Sequence, residues 1–239
     1  MLNTIRRWFS GVSGASWSGA AQWAQARGHA FKRSRDREGF VIDAPSANPP
    51  WRLEWGPSQR PYIEGSELRL RAEVGDAELQ MVILSRQLMD AMEKSVFEEF
   101  TEDLQTRVDT ATPEEMRWLV LFPKLTPAEL KILRDSFGAA GSAPMWVTQW
   151  LEGPLAAHLQ QARSGWLAPE VPLALILQRG RLTLRTAMAE PDAAQLSAVT
   201  SLFEVAAREA RRVVQSCSEH GLATTQPAAF DGGEARQRR

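Results

Sequence analysis

Between residues 51 and 74 the chain alternates apolar and polar residues so regularly that a β-sheet with two unlike faces is the structure it suits. In Trp51-Arg-Leu-Glu-Trp55, Trp51, Leu53 and Trp55 fall on one side and Arg52 and Glu54 on the other. In Glu67-Leu-Arg-Leu-Arg-Ala-Glu-Val74, Leu68, Leu70, Ala72 and Val74 turn inward while Arg69, Arg71 and Glu73 turn outward. Successive residues of a strand point to opposite faces, so this period of two separates a core face from a polar one. Gly56-Pro57 and Arg60-Pro61 punctuate the loop between the two runs.

Neighbouring segments extend the pattern. His29–Arg33 and Gly39–Asp43 read as strands joined by the charged run Ser34–Glu38, and three prolines make a loop of Ala44–Pro50. Gly75-Asp76 leads into Leu79–Leu84, whose continuous apolar run suits a central strand. Five strands with short connections predict an antiparallel meander with one face in water.

The helical period takes over at Ser85–Arg107, where Leu88, Met89, Met92, Val96, Phe100 and Leu104 recur at spacings of three and four. Residues 15–28 carry a shorter stripe through Trp17, Ala20, Ala21 and Ala24, stopped by Gly28. Thr112-Pro-Glu-Glu115 and Thr126-Pro-Ala-Glu129 each suggest a helix start with Thr at the N-cap, Pro at the first position and Glu at the third. The first of these helices is expected to end before Pro123, and the second to run through Leu130, Ile132, Leu133 and Phe137 to Gly138. Ala139–Ala143 reads as a linker, and Pro144–Arg163 as a helix bent near Gly153-Pro154.

Strand signals return at Leu173–Leu177 and Leu182–Thr186, and a long helix follows from Glu190 to residue 220. A two-stranded ribbon is marginal alone, so 173–186 is expected to join the first sheet beside 67–74. The fold class is therefore α+β: a mainly antiparallel sheet of about seven strands in two groups, backed by two long helices, with a helical insertion (112–163) between the groups. The expected organisation is a basic N-terminal arm (1–14), one domain (15–220) and a disordered tail (221–239). The order helix, three or more strands, helix, two strands, helix resembles that of the small chaperones that hold bacterial secretion effectors. The resemblance covers element order, and the helical insertion departs from it. It implies a protein-holding role.

Charge is unevenly spread. The net charge of −1 combines +6 over residues 1–37, +2 over 208–239 and −9 between them. Leu2, Ile5 and Phe9 share one helical face beside Arg6, Arg7 and Trp8, the pattern of a short helix on an anionic bilayer, of a packing strap or of a transit peptide. Cys217 stands alone, which rules out an internal disulfide, fits a reducing compartment and reads as a buried side chain on the last helix.

No metal, cofactor or nucleotide site is expected, because His29, His158 and His220 lie far apart and the phosphate-loop and nucleophile-elbow patterns are missing. Paired carboxylates at Glu98, Glu99, Glu102 and Asp103 sit at helical spacing, with a solvated outer face as the plainer reading and the docking of a basic surface, the chain's own 1–37 arm or a partner, as the alternative. Arg52, Arg60, Arg69, Arg71, Arg181 and Arg185 gather on the outward face near Tyr62, but Glu54, Glu64, Glu67 and Glu73 dilute them. That mixture speaks against single-stranded nucleic acid and for a mixed-sign solvent face that a protein partner can use. The functional expectation is a non-enzymatic protein-binding module of the cytoplasm. Its candidate partner surface comprises Arg52, Arg60, Tyr62, Arg69, Arg71 and the acidic helix. The competing expectations are peripheral membrane attachment at the inner membrane face through Leu2–Phe9, and an enzyme without a recognisable motif.

Overall fold

The alternating strands occupy the middle of one antiparallel sheet in a computed structural model that describes residues 16–35, 38–76, 78–102 and 112–220. A first helix, α1 (Ser16–Ala26), precedes β1 (Ala30–Arg33), β2 (Phe40–Ala44), β3 (Trp51–Pro57), β4 (Ser66–Glu73) and β5 (Gln80–Ser85). After α2 (Arg86–Glu102) come α3 (Glu114–Leu121), the single turn α4 (Pro127–Leu130), a 3₁₀ turn (Lys131–Leu133) and β6 (Phe137–Gly141). Helices α5 (Pro144–Leu151) and α6 (Pro154–Ser164), strands β7 (Leu173–Gln178) and β8 (Arg181–Ala187), and α7 (Ala193–His220) complete the chain. Among the described residues the sheet has eight strands in the order β1-β2-β3-β4-β8-β7-β5-β6.

The expected junction of the two strand groups is present: β4 pairs with β8, with Leu70 opposite Leu184 and Ala72 opposite Leu182. Apolar residues of both strands thereby share one face. On it Leu53, Leu68, Leu70, Met81, Ile83, Leu175, Leu177 and Leu184 form one continuous core with α1, α5, α6 and α7. Each fully buried side chain of this size is worth about 2 kcal/mol of transfer free energy. Tryptophans tie the layers together through their indole N–H groups. Trp51 donates to Glu204 of α7 at 3.0 Å, Trp55 to the Met188 carbonyl at 2.8 Å and Trp150 to the Ala206 carbonyl at 3.1 Å. Cys217 is buried on α7, as expected.

Alternation sends Val82, Leu84, Ala174 and Ile176 to the opposite face. There they pack with Leu88, Met89 and Met92 of α2 and Met116, Trp118 and Leu119 of α3. The two long helices therefore lie on opposite faces of the sheet.

The segment between the strand groups departs from expectation in three places. Residues 137–141 are strand β6, not the end of a helix and a linker. Their small side chains make this possible: a Cβ on Gly138 would collide with the Met89 sulfur, and one on Gly141 would come within 2.6 Å of Val147. The chain leaves helix at Lys131, whose φ is +53°. The expected bend near Gly153-Pro154 is a break between α5 and α6. Thr126 closes its capping box with Glu129, but α3 begins at Glu114 with Pro113 as an N-cap that makes no side-chain bond. The outer edge of β6 is closed by Pro123–Leu125, where Leu125 N–H donates to the Ala139 carbonyl at 2.9 Å. Among the described residues, no helix is long and apolar enough to cross a membrane.

Candidate functional site

On the face opposite the main core, the strand register lines side chains into rows. One row runs Val41, Glu54, Arg69, Arg185, Ala174, Leu84, and the next runs Asp43, Arg52, Arg71, Thr183, Ile176, Val82. Both rows change from polar to apolar at the step from β8 to β7, Arg185 to Ala174 in one and Thr183 to Ile176 in the other. Helices α2 and α3 cover the apolar half. Over the charged half, the β3–β4 loop reaches across to α3.

That loop explains why two of the arginines are buried. Arg69 donates to Glu54 and to the side-chain oxygen of Gln59, and Arg185 donates to Glu67 at 2.5 Å. Glu67 also accepts the Gln59 backbone N–H at 2.9 Å. Further along, Arg60 Nε donates to Glu115 of α3 at 2.6 Å, and the Tyr62 hydroxyl donates to the same carboxylate oxygen at 2.7 Å. The loop is thus pinned to the helix that covers the apolar half.

The electrostatics of this half are strained in one sense: cations outnumber anions. Arg69 and Arg185 stand directly opposite each other across β4 and β8, each side chain 8% exposed, and among the described residues the Nε of each lacks a partner. Glu54 serves three guanidiniums, Arg52 at 2.9 Å, Arg71 at 3.7 Å and Arg69. Burial alone raises the Glu54 pKa, but the bond from Arg69 and the charges of Arg69 and Arg71 outweigh it and hold the carboxyl below its ordinary value. Burial, followed by the charge of Arg69, pulls the Arg71 pKa down. Burial and the adjacent Glu115 carboxylate push the Tyr62 phenol far above its ordinary range.

The structure divides the partner surface expected from sequence. Arg52 and Arg71 stay accessible, at 50% and 36% side-chain exposure, and Arg181 beyond them is paired with Glu73 at 2.7 Å. Arg60, Tyr62 and Arg69 are instead consumed in the internal network. The expectation that this whole face lies in water is corrected at Glu67, Arg69 and Arg185, all buried beside the loop. Glu98, Glu99 and Glu102 fall within α2, with side chains outside the described residues. Asp103 and the segment Leu2, Ile5, Arg6, Arg7, Trp8, Phe9 also lie outside them. On the described part of α2, Glu93 pairs with Lys124 at 3.1 Å.

Three contributors were missed by sequence reasoning. Glu115 reads as a helix-capping residue because Thr112 precedes it by three, yet it is buried and binds the loop. Gln59 and Thr183 have no local signal; the β3–β4 loop brings Gln59 to Arg69 and Glu67, and the β4–β8 register sets Thr183 opposite Arg71. Beside the cluster, a cleft of 240 Å³ is floored by Gly39 and Gly56 and edged by Glu38, Glu54, Gln59 and Arg69. Gly39 is required there, since a Cβ would run into the Trp55 carbonyl oxygen.

Chemically, the arrangement is suited to attracting anions. Among the described residues, no group of His, Cys, Asp or Glu side chains is placed to hold a metal ion. Compared with known proteins, the chain matches no protein-family model, no curated protein and no solved structure.

Proposed function

We propose that this protein is a non-enzymatic protein-binding module whose docking face is the charged half of the sheet, entered at Arg52 and Arg71. The carrying observation is the contrast within one face: where the rows are apolar, helices cover them, and where they are charged, accessible guanidiniums remain. Four arginines (Arg52, Arg69, Arg71 and Arg185) meet two carboxylates (Asp43 and Glu54) in these two rows and a third, Glu67, two residues along β4 from Arg69, which leaves a net positive patch on a chain whose central region is acidic. Such a patch steers an acidic partner and sets its register more than it adds bulk affinity.

The test is affinity capture at low salt with the wild-type chain and with Arg52→Glu/Arg71→Glu. Both side chains are accessible, so the double variant should keep its circular dichroism spectrum, with an unfolding midpoint lowered by the loss of their contacts with Glu54 and Asp43. A partner that binds through this face should be recovered with the wild type, lost from the double variant and eluted by salt. Recovery of the same partner by both chains would place docking elsewhere.

A further inference from the structure

We infer that Arg71 and Thr183, backed by the opposed pair Arg69 and Arg185, form a seat for one carboxylate supplied by an acidic side chain of a protein partner. This inference rests on the binding-face reading above and names the chemistry recognised there.

Three independent features converge on these residues. Like charges directly opposite each other in an antiparallel pair are destabilising, yet Arg69 and Arg185 occupy such positions in the middle of the sheet. Both side chains are more than nine-tenths buried, and each leaves its Nε without a partner among the described residues, whereas buried polar atoms are nearly always satisfied. The shared anion, Glu54, is overcommitted. Its contact with Arg71 is 3.7 Å, too long for a good hydrogen bond.

The fork of Arg71 therefore has donors to spare at the place where the cation surplus is greatest. Thr183 occupies the register position opposite Arg71, so the two are cross-strand neighbours on this face. Arg71 is 36% exposed, so an incoming group meets it before the buried pair. Lys32, at 72% exposure on the rim of the face, is screened by solvent and contributes little to the seat.

The chemistry favours a carboxylate over a phosphate. With Glu67 counted, the four arginines exceed the three carboxylates by one charge, which a single carboxylate neutralises. The neighbouring guanidiniums already take carboxylates: Arg52 and Arg69 take Glu54, Arg60 takes Glu115, Arg181 takes Glu73 and Arg185 takes Glu67. A planar carboxylate matches the arginine fork through two parallel N–H···O bonds. Arg71 is placed to make that bond with a group from outside the chain.

The experiment titrates the full chain with a blocked hexapeptide of alternating Glu and Ala, its Gln counterpart and inorganic phosphate, by calorimetry at low salt. The Glu peptide should bind the wild type and the Gln peptide should not. Arg71→Gln should weaken the Glu peptide about tenfold, and Thr183→Val or Arg71→Lys by a few-fold, since each removes part of a charge-assisted hydrogen-bond set. Equal binding of the Glu peptide by all variants, or its failure to bind the wild type, overturns the seat. So does Arg71-dependent binding of phosphate in preference to the peptide. If a captured partner survives Arg71→Gln and Thr183→Val but is lost from Arg52→Glu/Arg71→Glu, the docking face stands and the seat falls. Loss from none of them removes both.

Discussion

The sheet face opposite the main core carries continuous rows of side chains but two kinds of surface. From β7 to β6, Ala174, Ile176, Val82, Leu84 and Ala140 lie beneath α2 and α3. From β2 to β8, Asp43, Arg52, Glu54, Glu67, Arg69, Arg71 and Arg185 sit, among the described residues, with no such cover apart from the β3–β4 loop. The change happens within a single hairpin, β7–β8, where Ala174 is directly opposite Arg185. A helix gains stability by removing apolar area from water and loses it by stripping water from charges. The apolar half can therefore recruit helices, whereas the charged half accepts only a loop that brings its own partners, Gln59, Arg60 and Tyr62. Glu115 joins the two, because its carboxylate belongs to the covering helix and its ligands belong to the loop.

The largest expected effect strikes the buried charges. Arg185→Ala leaves Glu67, whose side chain is 2% exposed, without its guanidinium, and should cost about 3–5 kcal/mol in urea unfolding. A cost below about 1 kcal/mol would mean that the pair is hydrated, and the contrast between the halves would weaken.

Trp118→Ala, in the covered half, should cost about 3–5 kcal/mol through lost burial and the cavity left behind. Its effect should be insensitive to salt, since no charge is altered. A marked salt dependence would show that the apolar half leans on the ionic one.

Glu115→Gln keeps the shape of the junction and removes its charge, so a loss of about 1–3 kcal/mol is expected. The Tyr62 phenol should then ionise at lower pH in ultraviolet titration, because one of the two causes of its raised pKa is gone. An unchanged phenol titration would separate the loop from α3.

Acidification tests Glu54. Its folded pKa is depressed, so its stabilising contribution is present above the ordinary carboxylate range and is lost as pH falls through the lower folded value. Unfolding free energy should hold steady from neutral pH to about 5 and then drop below about 4. Glu54→Gln should flatten part of that drop; an identical acid limb in both chains would assign it to other carboxylates. Smallest of all, Arg181→Ala removes an exposed pair with Glu73 and should change stability by less than about 0.5 kcal/mol, measured the same way.

Much of the fold is legible in the sequence. Alternation in β3, β4 and β8 assigns each residue to a face, and the Thr126–Glu129 box marks a helix start, because both signals depend on neighbours within a few residues. Strand β6 was not legible. Phe-Gly-Ala-Ala-Gly has neither alternation nor β-branched residues, and it is extended because β5 offers an edge and Met89 and Val147 press closely over its glycines. The candidate site was legible only in its inventory. The arginines and glutamates of the polar face could be named, but not which of them would be buried.

By itself, then, the chain's local pattern determined the α+β class, the apolar and polar sides of each strand, and the residues available to the charged face. Tertiary structure alone decided that Arg69 meets Arg185, that Thr183 flanks Arg71 and that Glu115 fastens the loop. Periodicity acts over a few residues, whereas register between strands more than a hundred residues apart follows from how the whole core packs. A charge is paired or left in excess according to that register.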